Sequence, residues 1–273
     1  MTCQHSPALF GFSVTCLILG MIPRIPLSIT SAALALLLGA PLTATAQTIL
    51  STDFGKSEIK SYGNGKTIGS GSGSVDELTV NTGTYFGESG QWKIDPASDL
   101  AQVKIEEVNG KRVLALISGA VSKRITKEIS DSDSLRLKGS IIFTPQATPN
   151  GSGDLLILLT EGNWFSTGRA TVASLLLSPN LVMKYPGGKV PEKLNEGVRY
   201  QIDFTVDLTA QPHTWEFTLS EAGDTPSPIF SSGPLPTRSE KAPNMMVVRQ
   251  SGGGEAPLVE IEKLSLLLPG FGE

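Results

Sequence analysis

The chain has 273 residues and a formal net charge of −4, with two cysteines and two histidines. Proteins that bind nucleic acid need a basic stripe, which this acidic balance does not favour. Both cysteines precede residue 47, so the remainder has neither a disulfide framework nor a thiol site. Residues 47–273 keep one histidine, His213, and this argues against a zinc site.

Residues 1–46 have the composition of an export leader. Arg24 is their only charged residue and supplies a positive n-region, and Ile29–Gly39 forms an apolar h-region. Ala44–Ala46 reads A-T-A, which matches a small-residue cleavage site. We therefore predict a secretory signal peptide that is cleaved after Ala46.

The first twenty residues contain a further apolar run that no basic residue precedes. We interpret them as an upstream extension and place the true start at Met21. Residues 47–273 are then expected to form one secreted, periplasmic or cell-surface domain without a stable membrane anchor.

Strand signals follow one another along residues 48–268, separated by Gly, Pro and Asn turns, and no long helical period is present. The clearest is V-R-Y-Q-I-D-F-T-V-D-L, where apolar and polar residues alternate strictly. The Asn109-Gly110 pair predicts a tight hairpin, and Leu155–Leu159 is apolar enough for a strand buried on both faces. The predicted strands are Thr48–Phe54, Glu77–Val80, Trp92–Ile94, Gln102–Val108, Arg112–Ser118, Ser134–Thr144, Asp154–Glu161, Ala170–Ser178, Leu181–Tyr185, Val198–Leu208, His213–Leu219, Met245–Gln250 and Leu258–Leu268.

This pattern predicts an all-β protein, a two-sheet antiparallel β-sandwich of the jelly-roll kind. In the last strand, V-E-I-E-K-L-S-L-L-L, the apolar parity switches at Glu262-Lys263, which is typical of a β-bulge. Glu260 and Glu262 could form a catalytic carboxylate pair, but no third acid accompanies them. We expect both to face solvent.

Aromatic residues indicate a second route to function, because sugar rings stack on tryptophan and tyrosine. Trp215 occupies an apolar position of its strand and is expected in the core. Trp164 lies on the turn E-G-N-W-F-S-T-G-R, where packing explains it less easily. We therefore nominate Trp164 as a ligand contact, assisted by Arg169, Tyr185 and His213.

The opening I-L-S-T-D-F-G-K, the closing L-V-E-I-E-K-L-S-L and the central strands resemble the concanavalin A-like lectin/glucanase superfamily (LamG-like jelly rolls) and related carbohydrate-binding modules. The resemblance implies that the first and last strands lie side by side. It also implies a structural calcium, for which Asp53 and Glu262 match the acidic positions. No other cofactor is expected.

Three functions remain open. The first is a secreted, non-catalytic domain that binds a polysaccharide or surface glycan. The second is a structural or adhesive surface protein without a small-ligand site. The third is a polysaccharide lyase or glycoside hydrolase that uses His213, Arg169 and Tyr185. The absence of a catalytic motif favours a protein that is not an enzyme.

Overall fold

The computed structural model describes residues 47–55, 57, 59–62, 78–80, 92–95, 103–125, 136–146, 152–161, 171–252 and 256–268. All of them belong to one compact unit, Thr43–Glu273. The predicted leader, Trp164 and Arg169 lie outside the described residues. Within the ranges given, no helix has the length and apolarity needed to cross a membrane.

The described residues form eighteen strands and no helix. In chain order they are β1 (Gln47–Thr52), β2 (Lys60–Tyr62), β3 (Leu78–Val80), β4 (Trp92–Asp95), β5 (Val103–Val108), β6 (Lys111–Leu116), β7 (Gly119–Arg124), β8 (Arg136–Pro145), β9 (Ser152–Thr160), β10 (Thr171–Leu177), β11 (Met183–Tyr185), β12 (Gly188–Lys189), β13 (Tyr200–Asp207), β14 (Thr214–Glu221), β15 (Ser227–Ser231), β16 (Leu235–Pro236), β17 (Met245–Gly252) and β18 (Val259–Leu268).

The strands pair into two sheets. One has the order β15-β14-β13-β8-β18-β6-β5-β2, with β1 added beside β18 and β16 beside β14. The other has the order β12-β11-β10-β9-β17-β7-β4-β3. All described pairs are antiparallel except β3 with β4. The predicted two-sheet β-sandwich is therefore confirmed.

The core lies between the sheets because alternate residues of each strand face it. In β13, Tyr200, Ile202, Phe204 and Val206 are buried and the residues between them are partly exposed, as the alternation predicted. Trp215 is buried in the same core and stacks with Phe217 at a ring-centroid distance of 5.8 Å. The predicted core position of Trp215 is confirmed.

One close approach in this core depends on a glycine. Gly139 of β8 pairs with Phe204 of β13, and the phenyl ring covers the glycine. A Cβ at Gly139 would lie 2.0 Å from Phe204 Cζ, well inside van der Waals contact. The strand therefore needs glycine here for the ring to occupy its place.

The closing strand lies where the sequence predicted. β1 pairs with β18 from Gln47 opposite Leu268 to Thr52 opposite Leu264. The other end of the same β18 edge pairs with β6, and β8 runs along the opposite edge. The first and last strands are thus side by side.

The Asn109-Gly110 hairpin and the hairpin of β13 with β14 are both confirmed. Asn109 and Gly110 adopt φ values of 53° and 75°, the left-handed pair that a two-residue turn between twisted strands requires. The prediction missed β2, β7, β12, β15 and β16. Except for β7, these are strands of two to five residues, too short to show a period.

Arg112 fixes the chain after β1. Its guanidinium donates to the backbone carbonyl oxygens of Gly55, at 2.8 Å, and of Ser57. Phe54 lies in the chain between the end of β1 and these two residues. It is fully buried and has a φ of 59°. A left-handed conformation is unfavourable for a bulky residue, so the surrounding contacts must hold it.

Candidate binding cleft

The bulge in β18 sets the geometry of the site. Ile261 pairs with Phe143 and Lys263 with Ile142, which leaves Glu262 as the extra residue between them. The insertion lets Val259 and Ile261 face the core before it and Leu264 and Leu266 after it. The predicted bulge is confirmed, and it displaces Glu262 from the regular ladder.

Glu262 is held by two cations. Arg199 Nε donates to both carboxylate oxygens, at 2.7 and 2.9 Å, and Lys111 Nζ donates to one of them at 3.0 Å. The glutamate side chain is only 14% exposed. Burial raises the pKa of Glu262, but the hydrogen bonds from Arg199 and Lys111 outweigh it and hold the pKa below its ordinary value.

Glu260 is in the opposite electrostatic situation. It lies two residues earlier on the same face of β18 and is half-buried. Burial raises its pKa, and the neighbouring carboxylates of Glu106 and Glu262 raise it further. Both glutamates are partly exposed and line the outer face of β18, as expected, but Glu262 is also ion-paired, which the sequence did not predict.

These residues line an open cleft of about 380 Å³, which we name the bulge cleft. That volume lies within the range of about 300–1,000 Å³ that small-molecule sites occupy. Its walls come from the β5–β6 hairpin, the ends of β8 and β18, and the segment before β13. The lining residues are Val108, Asn109, Lys111, Val113, Thr144, Gln146, Gly197, Arg199, Glu260 and Glu262.

The cleft offers hydrogen-bond donors and acceptors close together. Arg199 and Lys111 donate, Glu260 and Glu262 accept, and the hydroxyl of Thr144 does both. A ligand rich in hydroxyl groups can satisfy such a mixture, since each hydroxyl also donates and accepts.

The opposite pKa directions of Glu260 and Glu262 are the pattern that separates the acid and the base of a hydrolase. However, Arg199 contacts both oxygens of Glu262 and Lys111 adds a third hydrogen bond, so about three of the four lone-pair sites are engaged. The arrangement suits binding better than nucleophilic attack.

Tyr185 and His213, the two nominated residues that the structure describes, are not among the lining residues of this cleft. Tyr185 packs against Phe217 and Phe230, at centroid distances of 5.4 and 5.7 Å, at the lateral edge of the sandwich. His213 precedes β14 and lies four residues before Phe217, about 13 Å along the strand. Trp164 and Arg169 lie outside the described residues, so the shared ligand site stays a prediction.

His213 is held through its backbone at the start of β14. Its backbone carbonyl accepts a hydrogen bond from Thr237 N at 3.0 Å. Its buried Nδ1 has no hydrogen-bond partner among the described residues. The hydrogen bond from Thr237 N fixes the start of β14, and the ligand role nominated for the His213 side chain stays a prediction.

The acidic residues nominated for calcium are each engaged elsewhere. Asp53 Oδ1 accepts a hydrogen bond from Gly55 N at 3.0 Å, and Glu262 is held by Arg199 and Lys111. Among the described residues, no three acidic, histidine or cysteine side chains are grouped as metal ligands would be. The calcium site stays a prediction.

Sequence reasoning missed Arg199 and Lys111. Arg199 is the first polar residue of V-R-Y-Q-I-D, and Lys111 follows the Asn109-Gly110 turn. Neither position identifies Glu262 as the partner, because Glu262 lies 63 residues from Arg199 and 151 residues from Lys111 along the chain. The parity switch at Glu262 was the one signal that pointed to this place.

Several solved structures are similar to this one. One is a protein of unknown function from Shewanella oneidensis MR-1, with 12% identity and a TM-score of 0.48, covering 92% of this chain and 98% of that chain. A second is the CBM2 module of an evolved Dit of Lactobacillus casei BL23 phage J-1, with 13% identity and a TM-score of 0.45, covering 83% and 97%. A third is the metal-free carbohydrate recognition domain of Emp46p, with 13% identity and a TM-score of 0.41, covering 64% and 87%.

No family model and no curated protein matches the chain. The similar structures include carbohydrate-binding and carbohydrate-recognition β-sandwich domains. Their identities and TM-scores are too low to assign this chain to a family.

Proposed function

We propose that the protein is an exported, non-catalytic β-sandwich that binds a glycan in the bulge cleft. The observation that carries the proposal is the fixed group of donors and acceptors around Glu262. Arg199 and Lys111 are already positioned by their hydrogen bonds to the carboxylate. A ligand therefore meets polar groups whose ordering cost is largely met in the folded protein.

Hydrogen bonding by the described side chains carries this recognition. No aromatic side chain among those described is exposed, and the bulge cleft is lined by none. Sites built to hydrogen-bond hydroxyl groups discriminate strongly against ligands that lack them, because their polar groups would be left unpaired. Specificity for the pattern of hydroxyl groups follows from this.

The test is binding to immobilised polysaccharides by wild type and two cleft variants. Glu260→Gln keeps the shape of the side chain but removes its charge, and Lys111→Ala removes an exposed donor. Each is expected to weaken binding about tenfold, the equivalent of one charge-assisted hydrogen bond of about 1.4 kcal/mol. A laminarin, xylan, mannan, dextran and alginate panel provides the probes.

Matched controls are Glu192→Gln and Lys193→Ala, which make the same changes on an exposed loop outside the cleft. They should bind as wild type does. The proposal fails if no polysaccharide of the panel is retained, or if the cleft variants bind as strongly as the controls.

A structural or adhesive surface protein is the second candidate. The observation in its favour is the same lack of an exposed aromatic platform among the described side chains. It predicts that no soluble sugar binds while the purified protein still associates with whole cells or cell-wall material. A sedimentation assay with washed cell walls separates the two functions.

Export is part of the proposal and rests on the leader in residues 1–46. Cleavage after Ala46 would leave β1 whole, because β1 begins at Gln47. N-terminal sequencing of protein collected outside the cytoplasm should then start at Gln47. An intact leader on the collected protein would refute this step.

A further inference from the structure

A second cleft opens on the same sheet as the bulge cleft. It measures about 370 Å³ and lies across β8, β13 and β14, and we name it the hairpin cleft. Arg136 pairs with Asp207 there at 3.0 Å, and Thr209 and Ala210 donate to the other oxygen of that carboxylate. The residues lining it are Arg136, Lys138, Thr205, Asp207, Thr214, Trp215, Glu216 and Pro234.

β8 joins the two clefts. Its alternate residues from Arg136 to Thr144 point away from the core, since Leu137, Ile141 and Phe143 are buried in it. Lys138 lines the hairpin cleft and Thr144 the bulge cleft, six residues apart, which is about 20 Å along a strand. Both clefts therefore open on one face of the sheet.

The surface between the clefts is polar except at Ile142, and part of it is fixed by hydrogen bonds. Gln201 and Asp203 of β13 lie opposite Ile142 and Ser140 of β8, and Gln201 Nε2 donates to both oxygens of Asp203 at 2.9 and 2.8 Å. On the other side of β8, Ser265 lies opposite Ser140 but is buried, and its hydroxyl donates to the Ser140 carbonyl. We name this strip of β8 and β13 between the two clefts the lane. A ligand that lies along the lane finds hydrogen-bonding groups over most of its length.

The charges of the side chains that line the two clefts cancel, and Asp203 between the clefts adds one negative charge. Four cationic side chains, Lys111, Arg136, Lys138 and Arg199, and four anionic ones, Asp207, Glu216, Glu260 and Glu262, line the two clefts. Recognition of a polyanion calls for an excess of positive charge, which is absent from this set. An uncharged ligand with many hydroxyl groups fits the balance.

From these observations we infer that the two clefts are the end subsites of one extended site for a neutral polysaccharide chain running along β8. The inference rests on the proposed function and adds to it the length and charge of the ligand. A single sugar cannot span 20 Å, so both clefts are filled only by a chain of several units.

The experiment compares short oligomers with long chains of whichever neutral panel member binds, using isothermal titration with wild type, Lys138→Ala and Glu216→Ala. Wild type should bind the long chain at least about tenfold more tightly than the short oligomer, because the second contact is intramolecular. In the hairpin-cleft variants, the loss of affinity for the long chain should exceed the loss for the short oligomer about tenfold. Glu192→Ala serves as the control and should bind both as wild type does.

The other possible outcomes contradict different parts of the two proposals. Equal affinity for short and long chains, or equal losses in the variants, overturns the extended site but leaves glycan binding in the bulge cleft intact. Binding of alginate as tight as that of the neutral chains overturns the charge assignment. Binding of nothing on the panel removes the proposed function and this inference together.

Discussion

Glu260 and Glu262 should respond in opposite directions to the same substitution. Glutamine keeps the size of each side chain and removes its charge. For Glu262 the change removes the partner of Arg199 and Lys111. For Glu260 it removes a half-buried charge that faces two other carboxylates.

The expected magnitudes follow from exposure. The Arg199 side chain is 37% exposed, which puts its charge-assisted hydrogen bonds to Glu262 near the lower end of about 1.5–3 kcal/mol. The Lys111 side chain is 58% exposed, so its ion pair with Glu262 contributes about 0.2–1 kcal/mol to the free energy of unfolding. The glutamine oxygen still accepts one hydrogen bond, so Glu262→Gln should lower the free energy of unfolding by about 1–2 kcal/mol. Glu260→Gln should raise it by less than about 1 kcal/mol.

The pH dependence has opposite signs for the two groups. The pKa of Glu262 is lowered by folding, so its stabilisation is present above the ordinary carboxyl pKa of about 4.3 and is lost as the pH falls through the folded value. Folding raises the pKa of Glu260, so protonated Glu260 stabilises the folded state below the ordinary carboxyl pKa of about 4.3. This stabilisation is lost as the pH rises through the folded pKa of Glu260.

Urea unfolding at pH 7 and again near pH 3 measures both effects. At pH 7 Glu262→Gln should unfold at lower urea concentration than wild type and Glu260→Gln at higher. Near pH 3 the difference for Glu260→Gln should vanish, because its raised pKa leaves this carboxyl protonated in both states, whereas the difference for Glu262→Gln should shrink only as the pH falls through its lowered folded pKa. Shifts of the same sign for both variants at pH 7 would refute the electrostatic account of the cleft.

Two further predictions concern the fold. Arg112→Ala removes the hydrogen bonds to the carbonyls of Gly55 and Ser57 and should lower the free energy of unfolding in urea by about 1–3 kcal/mol. The control Arg136→Ala breaks an exposed ion pair and should lower it by less than about 1 kcal/mol. Equal losses would contradict the conclusion that Arg112 fixes the chain after β1. Gly139→Ala should lower the free energy of unfolding by about 1–3 kcal/mol, because the added methyl group overpacks against Phe204. The double variant with Phe204→Leu should lose less stability than the sum of the two single variants. Strict additivity would show that the Phe204 ring is not the obstacle.

The local patterns in the sequence were sufficient for the fold class. Strict alternation in β13 located a half-buried strand, and Asn109-Gly110 located a hairpin, because both signals lie within a few neighbouring residues. The parity switch at Glu262 located the bulge for the same reason. β7 was missed because G-A-V-S-K-R shows no alternation of apolar and polar residues.

The site depends on contacts that no local pattern encodes. Lys111 and Glu262 are 151 residues apart in the chain and meet only because β6 pairs with β18. The sequence drew attention to aromatic residues instead, since stacking is the most visible signal for sugar binding. Trp215 is in the core, as predicted, but Tyr185, nominated as a ligand contact, belongs to an aromatic cluster with Phe217 and Phe230.

Hydrogen exchange in the presence of bound saccharide tests the central claim most directly. With the panel member that binds most tightly, we expect slower amide exchange in residues 108–113 and 197–199, which contain six of the residues that line the bulge cleft. Slower exchange confined to residues 162–170, which contain Trp164, would contradict it and move the binding site to that turn.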